Sequence, residues 1–200
     1  MARTRRPAAE ARAHIVSVAK KHVLEDGPSA LRLKEVAEAA GVSHPTVLHH
    51  FGSREGLISA VVDDAMTQLD DELEEILSTS TELDPSPIVD AIARVMTNGG
   101  YARLIAWLAL SSPDGSIPRG RVSQVIDAVH GARLRLLPDG APPPTYEDSS
   151  FLSLLVTYAM VGEAIIGPGM RRNCALDSPT ARADFRKGLV DLVRRWVTGT

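Results

Sequence analysis

The stretch LKEVAEAAGVSHPTVLHHF, residues 33–51, decides the fold of this chain. Its first half places apolar side chains at the spacing of one helix face: Leu33, Val36, Ala37 and Ala40. Gly41 follows, and glycine adopts the left-handed conformation that ends a helix at little cost. Ser43 is a good N-cap, and Pro45 suits a first helical turn, where its missing N–H had no intrahelical partner. The sequence therefore predicts two helices joined by a tight turn, the helix-turn-helix arrangement.

The second of these helices has a composition suited to contact with DNA. If Val47 and Phe51 face the core, the residues on or near the opposite face are Pro45, Thr46, His49 and His50. The Thr46 hydroxyl and the imidazole rings can donate to phosphate oxygens or to base acceptors. An ordinary two-helix corner in an all-helical protein is the alternative that this spacing leaves open.

A longer segment, residues 12–61, resembles the N-terminal domain of the tetracycline-repressor (TetR) family of transcriptional regulators. The resemblance rests on the helix Ile15–Gly27 with its ending Glu25-Asp26-Gly27, on Val36-Ala37, on Ala39-Ala40-Gly41-Val42-Ser43, on Pro45-Thr46, on His50-Phe51 and on Ser53-Arg54-Glu55. Leu48 stands where the family usually has a tyrosine that contacts phosphate, so that contact is absent here. Arg54 replaces the usual lysine, keeps its charge and adds a fork geometry suited to phosphate.

The resemblance implies an all-α fold with two domains. Residues 1–56 form a three-helix, helix-turn-helix DNA-binding domain, and residues 57–200 form a helical domain for effector binding and dimerisation. We expect DNA contacts from Lys34, Ser43, His44, Pro45, Thr46, His49, His50 and Arg54. The helices near residues 151–166 and 181–197 are expected to pair with their copies as a four-helix bundle. Such a homodimer presents two recognition helices to a palindromic double-stranded operator.

The distribution of charge agrees with a DNA-binding first domain. Residues 1–56 carry nine Lys and Arg against six Asp and Glu, whereas residues 57–200 carry 13 against 19. The formal net charge of the whole chain is −3, so the basic character is confined to the part expected to meet phosphate. Arg3, Arg5 and Arg6 precede the first helix and could reach a minor groove. A solvated tail is the alternative for this arm.

The rest of the chain reads as further helices separated by loops. We predict helices near 8–25, 53–78, 88–97, 101–110, 121–137, 151–166 and 181–197. The helix 151–166 is apolar on nearly all sides, which predicts burial on both flanks. Gly167-Pro168-Gly169 is expected to stop it.

An effector pocket is expected in the second domain, as in the family. Its expected lining is apolar and aromatic, which favours a small hydrophobic or amphipathic ligand: Met96, Tyr101, Leu104, Trp107 and Leu108, faced by Tyr158 and Val161. Taken singly, each of these side chains is more often plain core, because apolar residues at helical spacing are expected inside any helical bundle. A ligand that prefers the DNA-incompetent state of the dimer would release the operator, which describes a ligand-responsive repressor. A regulator without a small-molecule effector, controlled by a protein partner or acting as an activator, is the alternative.

Other functional classes find little support in the sequence. It contains no nucleophile elbow, zinc-protease, CxxC, Walker or dinucleotide-binding motif, so we expect no catalytic residues and no cofactor. His44, His49 and His50 do not have the spacing of a metal site. The single cysteine, Cys174, and the lack of an apolar N-terminal run lead us to expect a cytoplasmic protein without a membrane partner.

Overall fold

The computed structural model describes residues 8–98, 100–111 and 121–198, and the regular elements in these ranges are all helical. In chain order the α-helices are α1 (Ala8–Asp26), α2 (Leu33–Ala39), α3 (His44–Phe51), α4 (Arg54–Thr79), α5 (Ser86–Ala93), α6 (Tyr101–Ser111), α7 (Arg121–Arg135), α8 (Tyr146–Ile165), α9 (Gly167–Asn173) and α10 (Ala181–Thr198). A π-helical turn, Arg94–Asn98, continues α5. The all-α fold class predicted from the sequence is therefore confirmed.

Packing divides the described residues into two compact units. The head unit lies within Met1–Met66 and Arg103–Ile117, and the body unit lies within Thr67–Ala102 and Pro118–Thr200. The division falls inside α4, ten residues beyond the start that the sequence suggested for the second domain. The functional boundary at residue 56 stays a prediction.

The head unit is built around aliphatic side chains from its first four helices. Fully buried positions recur along each of these helices, at Ile15, Val23, Val36, Val47, Leu57, Ile58 and Val61. Such burial stabilises by roughly 1.5–3 kcal/mol for each large side chain. α1 packs on α2, and α2 packs on α3. These contacts fix α3 by its inner face and leave its other side open.

In the body unit, α8 is the element with the most partners. It packs against α5, the π-helical turn, α7 and α9, and α5 packs in turn against α10. Its buried face includes Leu152, Val156 and Met160. A capping box starts the helix: the Thr145 hydroxyl accepts from the Asp148 N–H at 3.1 Å, and the Asp148 carboxylate accepts from the Thr145 N–H at 3.4 Å.

Two sequence-based expectations about this region were wrong. Helix α8 begins at Tyr146 instead of Phe151. The expected stop at Gly167-Pro168-Gly169 is confirmed, because α8 ends at Ile165, but a short helix that the sequence analysis did not predict, α9, begins directly after it. Pro168 lies in the first turn of α9, where a missing N–H costs nothing. α8 is also not buried on both flanks, because Phe151, Tyr158 and Ile165 are exposed.

Three further findings concern positions or properties discussed from the sequence. The arm with Arg3, Arg5 and Arg6 lies outside the described residues. Within the described ranges no single helix is long and apolar enough to cross a membrane, and α8 with α9 passes that test only as a pair bent by 70°. The same ranges contain no group of three or more His, Cys, Asp or Glu side chains arranged to hold a metal ion.

Candidate nucleic-acid interface

The turn between α2 and α3 is held by its own backbone. Gly41 has a φ of +66°, a left-handed conformation that a side chain would strain. The N–H of Val42 donates to the Ala37 carbonyl at 2.9 Å, and the N–H of Gly41 donates to the Glu38 carbonyl at 3.1 Å. These bonds satisfy carbonyls that the end of α2 would otherwise leave without partners. The turn therefore sets the direction in which α3 leaves.

Ser43 caps α3 as the sequence predicted. Its extended backbone (φ −82°, ψ 150°) lets the side-chain hydroxyl accept from the Thr46 N–H at 3.2 Å. The two hydroxyls of Ser43 and Thr46 lie 2.7 Å apart and share a second hydrogen bond. One proton of this hydroxyl pair is used in that bond, so one proton remains to donate elsewhere.

The outer face of α3 carries the side chains that the sequence assigned to DNA. Val47 is fully buried, whereas Ser43, His44, Pro45 and His49 are exposed. Thr46 and His50 are half-buried, and Lys34 is exposed on α2. The exposed residues Ser43, His44, Pro45 and His49 thus form an accessible surface at α3, whose backbone is fixed by the buried Val47.

Leu48 is the apolar member of this surface. The Leu48 side chain is 38% exposed, whereas the neighbouring Val47 is fully buried. A methyl-bearing side chain can contact a thymine methyl group in the major groove but cannot donate to phosphate.

Arg54, at the start of α4, is held by two neighbours. Its Nε and Nη2 each lie 3.1 Å from the Glu55 carboxylate, and its guanidinium carbon lies 5.5 Å from the centre of the Trp107 ring. A hydrogen bond from its own backbone N–H holds the pKa of Glu55 below the ordinary value, so this carboxylate stays ionised at neutral pH. Arg54 is therefore oriented before any phosphate arrives.

An aromatic and cationic cluster closes the C-terminal end of α3. The guanidinium of Arg12 lies 5.2 Å from the centre of the Phe51 ring, and the His50 ring lies 6.0 Å from the same ring. His49 meets His50 edge to face at 5.6 Å. Through this cluster α1 contacts α3 and places a positive charge at the C-terminal end of α3.

The comparison with known proteins bears on this same region. Residues 15–61 match the family described as bacterial regulatory proteins, tetR family, and the matched range contains the whole helix-turn-helix described above. These residues therefore form a DNA-binding domain similar to that of the TetR family. The chain is a DNA-binding transcriptional regulator.

Relatives extend the TetR likeness beyond the head unit. The HTH-type transcriptional repressor Rv3405c of Mycobacterium tuberculosis is 26% identical over 192 residues, which cover 93% of this chain and 88% of the relative. A solved TetR-family regulator from Pectobacterium atrosepticum has a TM-score of 0.62 at 20% identity, and 95% of this chain aligns with 94% of that structure.

A solved structure with ligands bound has the same fold. AibR, in complex with isovaleryl coenzyme A and operator DNA, aligns with a TM-score of 0.56 at 13% identity over 91% of this chain and 97% of that structure.

The residues predicted to line the effector pocket are distributed over both units. Leu104, Trp107 and Leu108 belong to the head unit, and the others to the body unit. Tyr158 requires a correction: it is 67% exposed and does not line an interior cavity of the described chain. Val161 is half-buried on the same helix, whereas Met96 and Tyr101 are buried.

The structure contains a cavity that the sequence analysis missed. It lies inside the body unit, and its lining includes none of the seven predicted residues. Arg133 forms part of its wall. The signal was present in the sequence, because Arg133 follows Ile126 and Val129 at helical spacing on the stripe expected to face inwards.

Proposed function

We propose that this regulator is a homodimeric repressor that binds a palindromic operator through Ser43–Phe51 and releases it when a small apolar or amphipathic ligand binds the C-terminal region. The proposed DNA binding rests on how α3 is held and on which of its side chains are exposed. The helix is capped by Ser43 and anchored by the buried Val47, and it exposes His44, Pro45, Leu48 and His49. A rigid helix with an accessible polar face is what major-groove reading requires.

The exposed apolar surface of α8 supports the homodimer. Phe151, Tyr158 and Ile165 are spaced seven residues apart on α8 and are 50%, 67% and 37% exposed. A seven-residue spacing is the repeat by which two helices pack along their length. Water-exposed aromatic side chains in such a row mark an interaction surface.

Helix α10 extends this surface. Phe185, Leu192 and Trp196 are exposed on α10, and the Trp196 ring lies 5.3 Å from the Phe151 ring of α8. The two helices therefore offer one joined apolar face. A two-fold axis through it brings together four helices, two from each copy, and relates two recognition helices by the same symmetry.

A small-molecule effector is supported by the cavity of the body unit and by the bound ligand named for AibR. Binding in this unit alters operator affinity only if the ligand prefers one of two states of the dimer. In this proposal the ligand prefers the state that does not bind DNA.

Selection of bound fragments from a random pool of duplex DNA tests the first part of the proposal. The expected product is an inverted repeat whose half-sites are centred about one or more helical turns apart, bound by two chains. Enrichment of a single asymmetric half-site bound by one chain would contradict the homodimeric reading.

A double substitution tests the recognition helix itself. We expect Thr46→Ala with His49→Ala to abolish retardation of the selected fragment while circular dichroism and molecular mass stay unchanged. His22→Ala is the matched control, because this half-buried histidine lies on α1 and pairs with Asp26 at 4.0 Å. Unchanged retardation by the double variant would remove α3 from the interface.

A thermal-shift screen with small apolar and amphipathic compounds tests the effector. A true effector raises the melting temperature and also lowers operator affinity in a fluorescence-anisotropy titration. If no compound does both, the alternative of a partner-controlled regulator or an activator is favoured.

A further inference from the structure

The body unit contains a half-open cavity of about 100 Å³ between the end of α4, the segment that follows it, α5, α7, α8 and α10. Most of its wall is aliphatic and includes Leu77, Ile88, Ile92, Val129, Val156 and Val193. A cavity of roughly 150 Å³ with such a lining holds a benzene molecule, so this one accommodates an apolar body of about four carbon atoms.

One wall of this cavity carries a buried positive charge. Arg133 is only 9% exposed, and it lines the cavity. Its Nη1 donates to the Ser149 hydroxyl at 2.8 Å, and that hydroxyl also lies 3.0 Å from the Nδ1 of His130. These contacts fix the direction of the guanidinium but bring no negative charge to it.

Arg133 has no ion-pair partner among the described residues. Asp148 acts on it only as a charge at longer range, and the Asp148 carboxylate accepts from the Thr145 N–H. Burial lowers the pKa of Arg133, although an arginine side chain stays protonated at neutral pH. An arginine that is buried without a carboxylate is costly, and an anion in the cavity would remove that cost.

We propose that this cavity binds a small monocarboxylic acid, with the carboxylate on Arg133 and the aliphatic body against the apolar wall. The Nε and Nη2 of Arg133 offer the fork that a carboxylate fits. Assigning this acid as the effector rests on the proposed function, whereas the binding itself does not.

The remaining charges around the cavity favour one negative charge over two. Glu82 and Asp84 also line it, and Asp84 is paired with Arg194 at 3.1 Å. The carboxylate of Glu82 would repel a second acidic group on the ligand. A dicarboxylate or a phosphate ester therefore binds more weakly than a monocarboxylate of the same size.

Isothermal titration calorimetry of the full chain at pH 7 tests the proposal with pentanoate and its neutral isostere pentanamide. We expect pentanoate to bind at least roughly tenfold more tightly, because hydrogen bonds to a charged partner are the stronger ones. Arg133→Met should abolish this preference, and Arg133→Lys should retain part of it. Arg172→Met is the matched control, since Arg172 is exposed on α9 and does not line the cavity.

Equal binding of acid and amide to the unmodified chain, or binding of neither, overturns the proposal without any variant having to fold. Titrations of the operator distinguish a failure of this binding site from a failure of the proposed repressor function. If pentanoate binds through Arg133 but leaves the operator bound, the site stands and its role as effector site fails. If a neutral compound releases the operator and pentanoate neither binds nor competes, the repressor stands and this site fails.

Discussion

At the scale of single residues, the cap of α3 combines a structural and a recognition role in one hydroxyl pair. Ser43 accepts from the Thr46 N–H at 3.2 Å, and the two hydroxyls lie 2.7 Å apart. The Thr46 N–H also donates to the Ser43 carbonyl at 2.9 Å, so removing the hydroxyl costs stability by leaving this N–H one acceptor instead of two. Glycine costs less than alanine because it leaves the N–H more open to water.

We therefore expect Ser43→Ala to destabilise the head unit by about 1 kcal/mol and Ser43→Gly by only a few tenths. Thermal unfolding followed by circular dichroism measures the difference, and the alanine variant should melt about 2–4 °C lower. Equal melting temperatures for the alanine and glycine variants would show that the cap bond contributes nothing.

Arg54 is placed to bind phosphate, but Glu55 competes for it. The guanidinium lies 3.1 Å from the Glu55 carboxylate and stacks over Trp107. We expect Arg54→Ala to weaken binding to all DNA sequences alike and to lower the slope of log affinity against log salt by about 0.9 for each subunit. Glu55→Gln should raise affinity, because it frees the guanidinium. A loss with Arg54→Ala that is confined to one sequence would contradict the role as a phosphate anchor.

Single residues also show which parts of the structure could be predicted from the sequence and which could not. The roles of Ser43, Val47 and Gly41 could be predicted, because caps, turns and short apolar stripes depend only on residues that are close in sequence. Those of Arg133 and Tyr158 could not. Whether an arginine on an inward stripe lines a cavity, and whether an aromatic residue faces its own core or a second copy, depends on helices distant in sequence.

At the scale of elements, the α2–α3 turn depends on one backbone conformation. Gly41 has a φ of +66°, with no heavy atom within 4 Å of an added Cβ, so alanine there would be strained but not crowded. We expect Gly41→Ala to destabilise the head unit by about 1–2 kcal/mol. We also expect operator affinity to fall, because strain at position 41 would change the direction in which α3 leaves the turn.

Gly131→Ala is the matched control for this substitution. Gly131 lies inside α7, has an ordinary helical conformation and has open space around it. Alanine there should stabilise by about 1 kcal/mol, since glycine is the poorer helix former. Chemical unfolding of both variants measures the change in the free energy of unfolding. A change of the same sign for both variants would contradict the role of the left-handed conformation at Gly41.

The two errors in element boundaries also have physical causes. The start of α8 was predicted five residues late because its first turn is polar and the apolar pattern begins only at Phe151. The pattern Thr145-x-x-Asp148 is a capping signal with Asp in place of the usual Glu or Gln. Helix α9 was missed because Gly-Pro-Gly indicates a stop, and proline in a first helical turn equally indicates a start.

At the scale of the whole molecule, the proposed regulation is a linkage between two binding events. If an acid in the body unit lowers operator affinity by some factor, the operator must lower the affinity for that acid by the same factor. Calorimetric titration of the acid into protein with and without the operator fragment measures this factor independently of the anisotropy experiment. Unequal factors would mean that the acid acts at more than one site.

The proposed dimerisation is tested by placing a charge on the exposed apolar face of α8 and α10. Leu192 is 51% exposed on α10, and Leu192→Glu would bury an unpaired carboxylate at the proposed two-fold interface, at a cost on the order of 3 kcal/mol for each copy. For the Leu192→Glu variant we expect light scattering to give a mass near that of one chain, 21.4 kDa. For the unmodified protein we expect twice that mass. Operator affinity of the variant should also fall, because a single chain presents one recognition helix. Leu110→Glu is the control, since Leu110 is 88% exposed on α6 and belongs to the head unit, so dimerisation through α8 and α10 should persist in this variant. A Leu192→Glu protein that remains a dimer would place the interface elsewhere.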